Sequence, residues 1–304
     1  MFESKKQVIE TLSHLPKGEA RRHLLDTTNA VDFIASIGSN ITLYQGKPTS
    51  GDDFQTQLTS VHVILIQRCH PNGTADGIGA FGGLSECIEA QTFDALSPDE
   101  KQKCVGKWDN VVFENGQPTR ITDIRQISIN NVKREVQEEL GNIGIHSAQL
   151  LWDKMVYLPF RPQDDNYLIN RWESGERVCV VRPRCYVLEI SANLSDYLIT
   201  KSNQGIREVD TELSGLKRYA LTDVLFRAGQ SPVSDYRYPH EWLAGWFLAA
   251  RLVKGPKAMN SLIDSLKQIP YFAESCPQMR LNPTAILNSL RYQQNLRDRQ
   301  HSHE

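Results

Sequence analysis

Residues 134–141 read Arg-Glu-Val-Gln-Glu-Glu-Leu-Gly, and this stretch predicts both a helix and a site of chemistry. On an α-helix Glu135, Glu138 and Glu139 are spaced i, i+3 and i+4, so their carboxylates lie on one face. Like charges so close repel each other, but a divalent cation such as Mg²⁺, which prefers carboxylate and water oxygens, reverses that cost. Gly141 can adopt the left-handed conformation that ends a helix, so we expect the helix to end just after the carboxylates.

Composition places the chain among globular proteins and argues against several classes of function. It has 304 residues, of which 40% are hydrophobic and 23% charged, with a net charge of -2, so a nucleic-acid polymer is not an expected partner. Apolar runs such as Val61–Ile66 are too short to cross a bilayer, and the N-terminus lacks the apolar segment of a signal peptide. The six cysteines include no Cys-x-x-Cys pair. We therefore expect a cytoplasmic protein without a membrane partner, a disulfide framework or a zinc site.

Hydrophobic periodicity divides the chain into three parts. Residues 1–57 are predicted to form a helical N-terminal extension, with one helix over Ala30–Ile37. Residues 58–228 form the main domain, which begins with a buried strand and a glycine-rich stretch. Residues 229–304 carry an apolar stripe at helical spacing and form a helical C-terminal extension. Further strands are predicted over Met155–Leu158, Val178–Leu188 and Gly215–Tyr219.

Residues 90–126 within the main domain form an inserted subdomain. Ser97-Pro98-Asp99-Glu100 is the sequence of a capping box with proline at the first helical position, so a helix starts there. Val111-Val112-Phe113 followed by Asn115-Gly116 predicts a short hairpin. The carboxylate helix then begins within Thr122–Ser128.

The glycine-rich stretch and the carboxylate helix together resemble the signature of the Nudix hydrolases, G-x5-E-x7-R-E-U-x-E-E-x-G-U, where U is a bulky aliphatic residue. Gly83 and Glu89 match G-x5-E, and residues 134–141 match R-E-U-x-E-E-x-G. Two features differ: 44 residues instead of seven separate Glu89 from the arginine, and Asn142 stands at the last aliphatic position. The resemblance covers about residues 58–228 and implies an α/β/α sandwich of the Nudix type with a mixed sheet.

The resemblance implies hydrolysis of a nucleoside diphosphate linked to another group. Water attacks one phosphorus of the pyrophosphate, while Mg²⁺ or Mn²⁺ ions hold the phosphate oxygens and neutralise charges that would repel the attacking oxygen. The substrate is not specified, because ADP-ribose, dinucleoside polyphosphates, nucleotide sugars, NADH and oxidised nucleoside triphosphates all fit. A homodimer also fits the family, and the apolar C-terminal helices could supply its interface.

The same resemblance implies which helix residues form the site. Glu135, Glu138 and Glu139 match the family's metal ligands. Arg134 matches the residue that holds a glutamate in place, with Glu138 as its i+4 neighbour. Gly141 matches the glycine that supports the site at the end of the helix.

Residues outside the helix are implied to complete the site. Gly82 and Gly83 would contribute to substrate binding, because they let the chain pass close to the metal helix and the phosphates. The family takes its catalytic base from the helix or from a later loop, so Glu138 and Glu208 are the candidates for this role. Glu208 and Glu212 precede a segment similar to the family's strand before its last helix, although both are also compatible with plain surface carboxylates.

Other interpretations stay open. The 37 extra residues in the motif could block the site or form an interface, which would make the chain a non-catalytic module that binds a nucleotide metabolite or a protein. An isomerase of a diphosphate, as in one branch of the family, would need a cysteine in the pocket, such as Cys87. Arg182 and Arg184 could clamp a phosphate or face solvent, and the spacing of Trp242 and Trp246 favours core packing over base stacking.

Overall fold

The computed structural model describes residues 33–69, 75–141, 144–160, 170–174, 177–204, 213–227, 239–269 and 283–301. Within these ranges the strands are β1 (Phe33–Gln45), β2 (His62–Cys69), β3 (Ala75–Gly79), β4 (Phe81–Leu84), β5 (Val111–Glu114), β6 (Gln117–Arg120), β7 (Val156–Tyr157), β8 (Asn170–Ser174), β9 (Arg177–Glu189) and β10 (Leu213–Ala220). The α-helices are α1 (Phe54–Leu58), α2 (Ala90–Asp94), α3 (Pro98–Cys104), α4 (Ile124–Gly141), α5 (Ala192–Gln204), α6 (Leu221–Arg227), α7 (Pro239–Leu252), α8 (Pro256–Lys267) and α9 (Pro283–His301).

A mixed sheet forms the centre of the molecule. Its strand order is β10-β2-β1-β9-β7, and β3, β4 and β8 pair with β2, β1 and β9, respectively. Strands β1 and β9 are parallel from Phe33↔Val178 to Tyr44↔Glu189. The other pairs within this sheet are antiparallel. The predicted α/β class with a mixed sheet is therefore confirmed.

The prediction of a helix over Ala30–Ile37 is wrong, because β1 begins at Phe33. The β-branched residues Ile34, Ile37 and Ile41 favour a strand, and pairing with β9 satisfies the backbone along its length. The main domain therefore begins earlier than the predicted boundary at residue 58. In the described residues up to 57 the helical element is the short helix α1, and residues 1–32 lie outside the described ranges.

Helices cover the sheet on both faces, as an α/β/α sandwich requires. Successive residues of β2 point to opposite faces, so Ile64 and Ile66 pack with Val132 and Val136 of α4. On the other face Leu65 belongs to a core that includes residues of α7. This second core includes Trp242 and Trp246, both fully buried, which confirms their predicted packing role.

The inserted residues fold around a small core of their own. Ile88, Phe93, Cys104 and Val111 form this cluster. Helix α3 has the predicted capping box between Ser97 and Glu100. The hairpin β5–β6 is also confirmed. Its two central residues have positive φ, 51° at Asn115 and 77° at Gly116, as a type I′ turn requires.

The carboxylate helix α4 begins at Ile124, within the predicted interval, and ends at Gly141. Gly141 is not among the residues with positive φ, so its predicted left-handed conformation is wrong. That conformation belongs to Gly144, with φ of 74°, whose N–H donates to the carbonyl of Gly141 at 2.8 Å. Among the described helices, none combines the length and the apolar character that a membrane crossing needs.

Candidate functional site

Strand β4 runs directly beside α4, and two glycines make this approach possible. A Cβ on Gly83 would lie 2.5 Å from the carboxyl atoms of Glu135. Gly82 has φ of +146°, and a Cβ there would lie 2.1 Å from the carbonyl oxygen of Ser39. The Gly82 N–H donates to Oε2 of Glu139 at 3.1 Å. The structure thus places the two predicted glycines against the carboxylate helix, where any side chain would displace a carboxylate or the neighbouring strand.

Glu139 is the most deeply placed of the three carboxylates, with only 11% of its side chain exposed. Its Oε1 lies 3.6 Å from Nη2 of Arg68 on β2. Burial raises the pKa of Glu139 well above its ordinary value, and the positive charge of Arg68 offsets this only in part. A nearby cation would therefore stabilise the ionised form of this side chain.

Glu135 is partly buried between Arg134 and β4. Its Oε1 accepts a hydrogen bond from Nη2 of Arg134 at 2.8 Å. Burial raises the pKa of Glu135, and the charge of Arg134 lowers it in part. Glu138, in contrast, is 56% exposed and accepts a hydrogen bond from Nη1 of Arg134 at 3.0 Å. The predicted i, i+4 pair between Arg134 and Glu138 is therefore confirmed.

Arg134 has a further partner that the sequence did not reveal. Its Nε and Nη2 donate to the two carboxylate oxygens of Asp109, at 3.1 and 3.2 Å, and Nη2 also donates to the carbonyl of Leu84. Asp109 belongs to the insertion, and nothing in the sequence distinguishes it from the insertion's other acidic residues. Glu89, the residue that matches the motif, is exposed at the start of α2 and forms no ion pair with any described residue.

The other face of Glu139 is close to an acidic residue from the C-terminal helices. Glu241 lies in the first turn of α7 and is 4% exposed. Arg68 Nε and Glu241 Oε2 each lie 2.8 Å from the position that a Cβ of Gly79 would occupy. The charge of Glu241 contributes to raising the pKa of Glu139. No sequence signal distinguishes this buried carboxylate from the other acidic residues of the chain.

The donor chemistry of the three helix glutamates suits a hard cation such as Mg²⁺, because all of their ligand atoms are carboxylate oxygens. Two of them, Glu135 and Glu139, face β4, and burial raises the pKa of both, so a cation beside them would stabilise their ionised forms. Glu138 is held by Arg134 instead. Among the described residues, no three His, Cys, Asp or Glu side chains are gathered closely enough to hold a metal ion as they stand.

Other predicted site residues lie outside the described ranges or make contacts of their own. Glu208 and Glu212 lie outside the described residues, as does the side chain of Arg182. The guanidinium carbon of Arg184 lies 5.4 Å from the centre of the Tyr157 ring. A Cβ on Gly141 would meet no atom within 4 Å, so this glycine supports the site through no close contact.

Comparison with solved structures returns Nudix domains. One is the NUDIX domain of Shewanella oneidensis NrtR complexed with ADP ribose, which is 15% identical, with 72% of this chain and 90% of that chain covered and a TM-score of 0.27. Another is a NUDIX hydrolase from Alicyclobacillus acidocaldarius, which is 10% identical, with 77% and 96% covered and a TM-score of 0.28. No protein-family model and no curated protein matches the sequence. Both TM-scores are low, so these likenesses carry no argument about family or role, and the resemblance to the Nudix hydrolases rests on the sequence motif.

Proposed function

We propose that this protein is a pyrophosphohydrolase that uses Mg²⁺ or Mn²⁺ to cleave the diphosphate linkage of a small nucleotide-derived substrate. The observation that carries the proposal is the convergence of Glu135 and Glu139 on Gly82 and Gly83, with both carboxylates destabilised by burial. A helix without a cation to bind gains nothing from this arrangement, because buried carboxylates that lack a full counter-charge cost free energy.

The roles of the residues follow from their positions. Glu135, Glu138 and Glu139 would hold the cation, which when bound neutralises the diphosphate and acidifies the attacking water. Glu138 is the exposed member of the three and is hydrogen-bonded only through Arg134 among the described residues, so its carboxylate is the one placed to accept a proton from water. The absence of a side chain on Gly83 lets the Glu135 carboxyl group lie against β4, and Gly82 and Gly83 would border the bound diphosphate. Glu208 remains a second proposed base.

The test is a panel of diphosphates incubated with Mg²⁺ or Mn²⁺ and scored by product identity. The panel contains ADP-ribose, a dinucleoside polyphosphate, a nucleotide sugar, NADH and an oxidised nucleoside triphosphate. Glu138→Gln should lower turnover by about 100-fold or more while the fold is kept. Glu89→Gln is the matched control, because Glu89 is also an exposed motif glutamate but has no ion pair with the described residues. Equal activity of Glu138→Gln and the wild type would reject the assignment.

A second candidate is a non-catalytic module that binds a nucleotide metabolite. It is favoured by one observation: Arg134 holds both Glu135 and Glu138, and no metal-holding group is gathered among the described side chains. Calorimetry with the same panel separates the two candidates. Tight binding in Mg²⁺ without any product favours the binding module, whereas steady release of phosphate-containing products excludes it.

The homodimer stays a prediction.

A further inference from the structure

We propose that Asp109, contributed by the insertion, is a positioning residue that keeps Arg134 from neutralising the metal carboxylates. The inference rests on the proposed function, since it concerns how readily Glu135 and Glu138 can bind a cation. It assigns a role to the insertion, which supplies a part of the site instead of blocking it.

The position of Asp109 is fixed from several directions. Its side chain is 2% exposed, and both carboxylate oxygens accept hydrogen bonds from Arg134. Oδ2 also accepts the backbone N–H of Glu86 at 2.8 Å, and the Asp109 N–H donates to the Glu86 carbonyl at 2.7 Å. The Asp109 carbonyl accepts a hydrogen bond from Nδ2 of Asn130 on α4 at 2.8 Å. Asp109 therefore ties the segment after β4 and the helix α4 to the same point.

Glu89, the glutamate that matches the motif, does not make these contacts. Glu89 is exposed and begins α2, and its side chain makes no capping hydrogen bond. The carboxylate partners of Arg134 among the described residues are Asp109, Glu135 and Glu138, and Glu89 is not one of them. The insertion instead supplies Asp109, which contacts the buried guanidinium of Arg134 at two points in addition to the two helix glutamates.

The consequence for cation binding is one of charge. A single guanidinium contacts three carboxylates: Asp109 through Nε and Nη2, Glu135 through Nη2, and Glu138 through Nη1. While Asp109 compensates the charge of Arg134, Glu135 and Glu138 keep most of their negative potential. Without the Asp109 charge, the guanidinium would pair with these two glutamates alone and compete with a divalent cation for them.

The experiment measures Mn²⁺ affinity by electron paramagnetic resonance in the full-length protein without substrate. Asp109→Asn should raise the Mn²⁺ Kd by about 10- to 100-fold, the range for residues that orient metal ligands. Glu89→Gln should leave the Kd unchanged. In an Arg134→Gln background, Asp109→Asn should have less than about a twofold effect, because its action passes through the guanidinium. If Asp109 had only a structural role, Asp109→Asn would lower thermal stability in both backgrounds, and its effect on the Mn²⁺ Kd would not depend on Arg134.

The outcomes separate the inference from the proposed function. A wild-type protein that binds no Mn²⁺ rejects both. A wild type that binds Mn²⁺, with a folded Asp109→Asn variant of equal affinity, rejects only the role of Asp109. If Asp109→Asn does not fold, Arg134→Lys tests the same mechanism, since lysine keeps the charge but loses the two-point contact with Asp109. Its Mn²⁺ Kd should rise severalfold, and an unchanged Kd would overturn the inference.

Discussion

Replacing Gly83 by alanine perturbs the point where β4 approaches the carboxylate helix most closely. The new Cβ would lie 2.5 Å from Cδ, Oε1 and Oε2 of Glu135. Ordinary contacts between such atoms are about 3.5 Å, so the carboxylate must retreat by about 1 Å. Gly83 is not among the residues with positive φ, so the substitution adds no backbone strain of its own.

The expected losses of stability and of kcat in Gly83→Ala follow from the atoms that must move. The atoms displaced belong to the flexible end of a glutamate, so the cost in stability is about 0.5–1.5 kcal/mol, as for a side chain forced from its rotamer. The effect on catalysis is larger, because a misplacement of about 1 Å lowers a rate by about 100-fold. Gly83→Ala should therefore fold almost normally and lose about two orders of magnitude in kcat.

The assay combines urea denaturation with the turnover of whichever panel compound is hydrolysed. Gly141→Ala, on the same helix, is the matched control, because its Cβ meets no atom within 4 Å and its backbone is helical. That variant should keep full activity and gain up to about 1 kcal/mol in stability. A folded Gly83→Ala protein with wild-type kcat and Mn²⁺ affinity would show that Glu135 is not a ligand at this position.

Three further predictions concern the surroundings of the site. Gly82→Ala should lower the free energy of unfolding by about 2–4 kcal/mol in urea denaturation, because its φ is +146° and its Cβ would lie 2.1 Å from the Ser39 carbonyl; a loss below 1 kcal/mol would contradict the backbone placement. Ser128→Ala should cost about 1–3 kcal/mol, since the buried Ser128 hydroxyl accepts the Tyr186 hydroxyl at 2.8 Å, and adding Tyr186→Phe should recover part of that loss. In metal-free protein the pKa of Glu139 is higher in the folded chain than in the unfolded chain, so the unfolded chain binds fewer protons. The free energy of unfolding should therefore fall as the pH rises from the ordinary carboxyl pKa through the raised pKa of Glu139. Glu139→Gln should flatten this dependence, and an unchanged slope would assign it to another group.

Local signals predicted much of the fold. The capping box at Ser97, the hairpin at Asn115-Gly116 and the start of α4 depend on hydrogen bonds between near neighbours, so a short window of sequence contains them. The alternation of β2 and the helical stripe of α7 also identify which residues enter the core.

Non-local partners could not be predicted in this way. Residues 33–45 form a strand because they pair with β9, which lies more than a hundred residues later in the chain. Asp109 and Glu241 reach the site only through the folding of the insertion and of α7, and neither has a distinctive sequence context. The left-handed conformation was assigned to Gly141, which is the last helical residue of α4, whereas the positive φ occurs at Gly144.

The most direct measurement follows hydrolysis of the panel compounds in ¹⁸O-labelled water with Mg²⁺, with the products identified by mass spectrometry. Addition of one water across the phosphoric anhydride should give two phosphate-containing products, one of which carries a single ¹⁸O atom on phosphorus. Chelation of Mg²⁺ should abolish the labelled product, and Glu138→Gln should slow its formation by about 100-fold or more. Panel compounds that bind but stay intact and unlabelled after prolonged incubation would contradict the hydrolase and leave the binding module in its place.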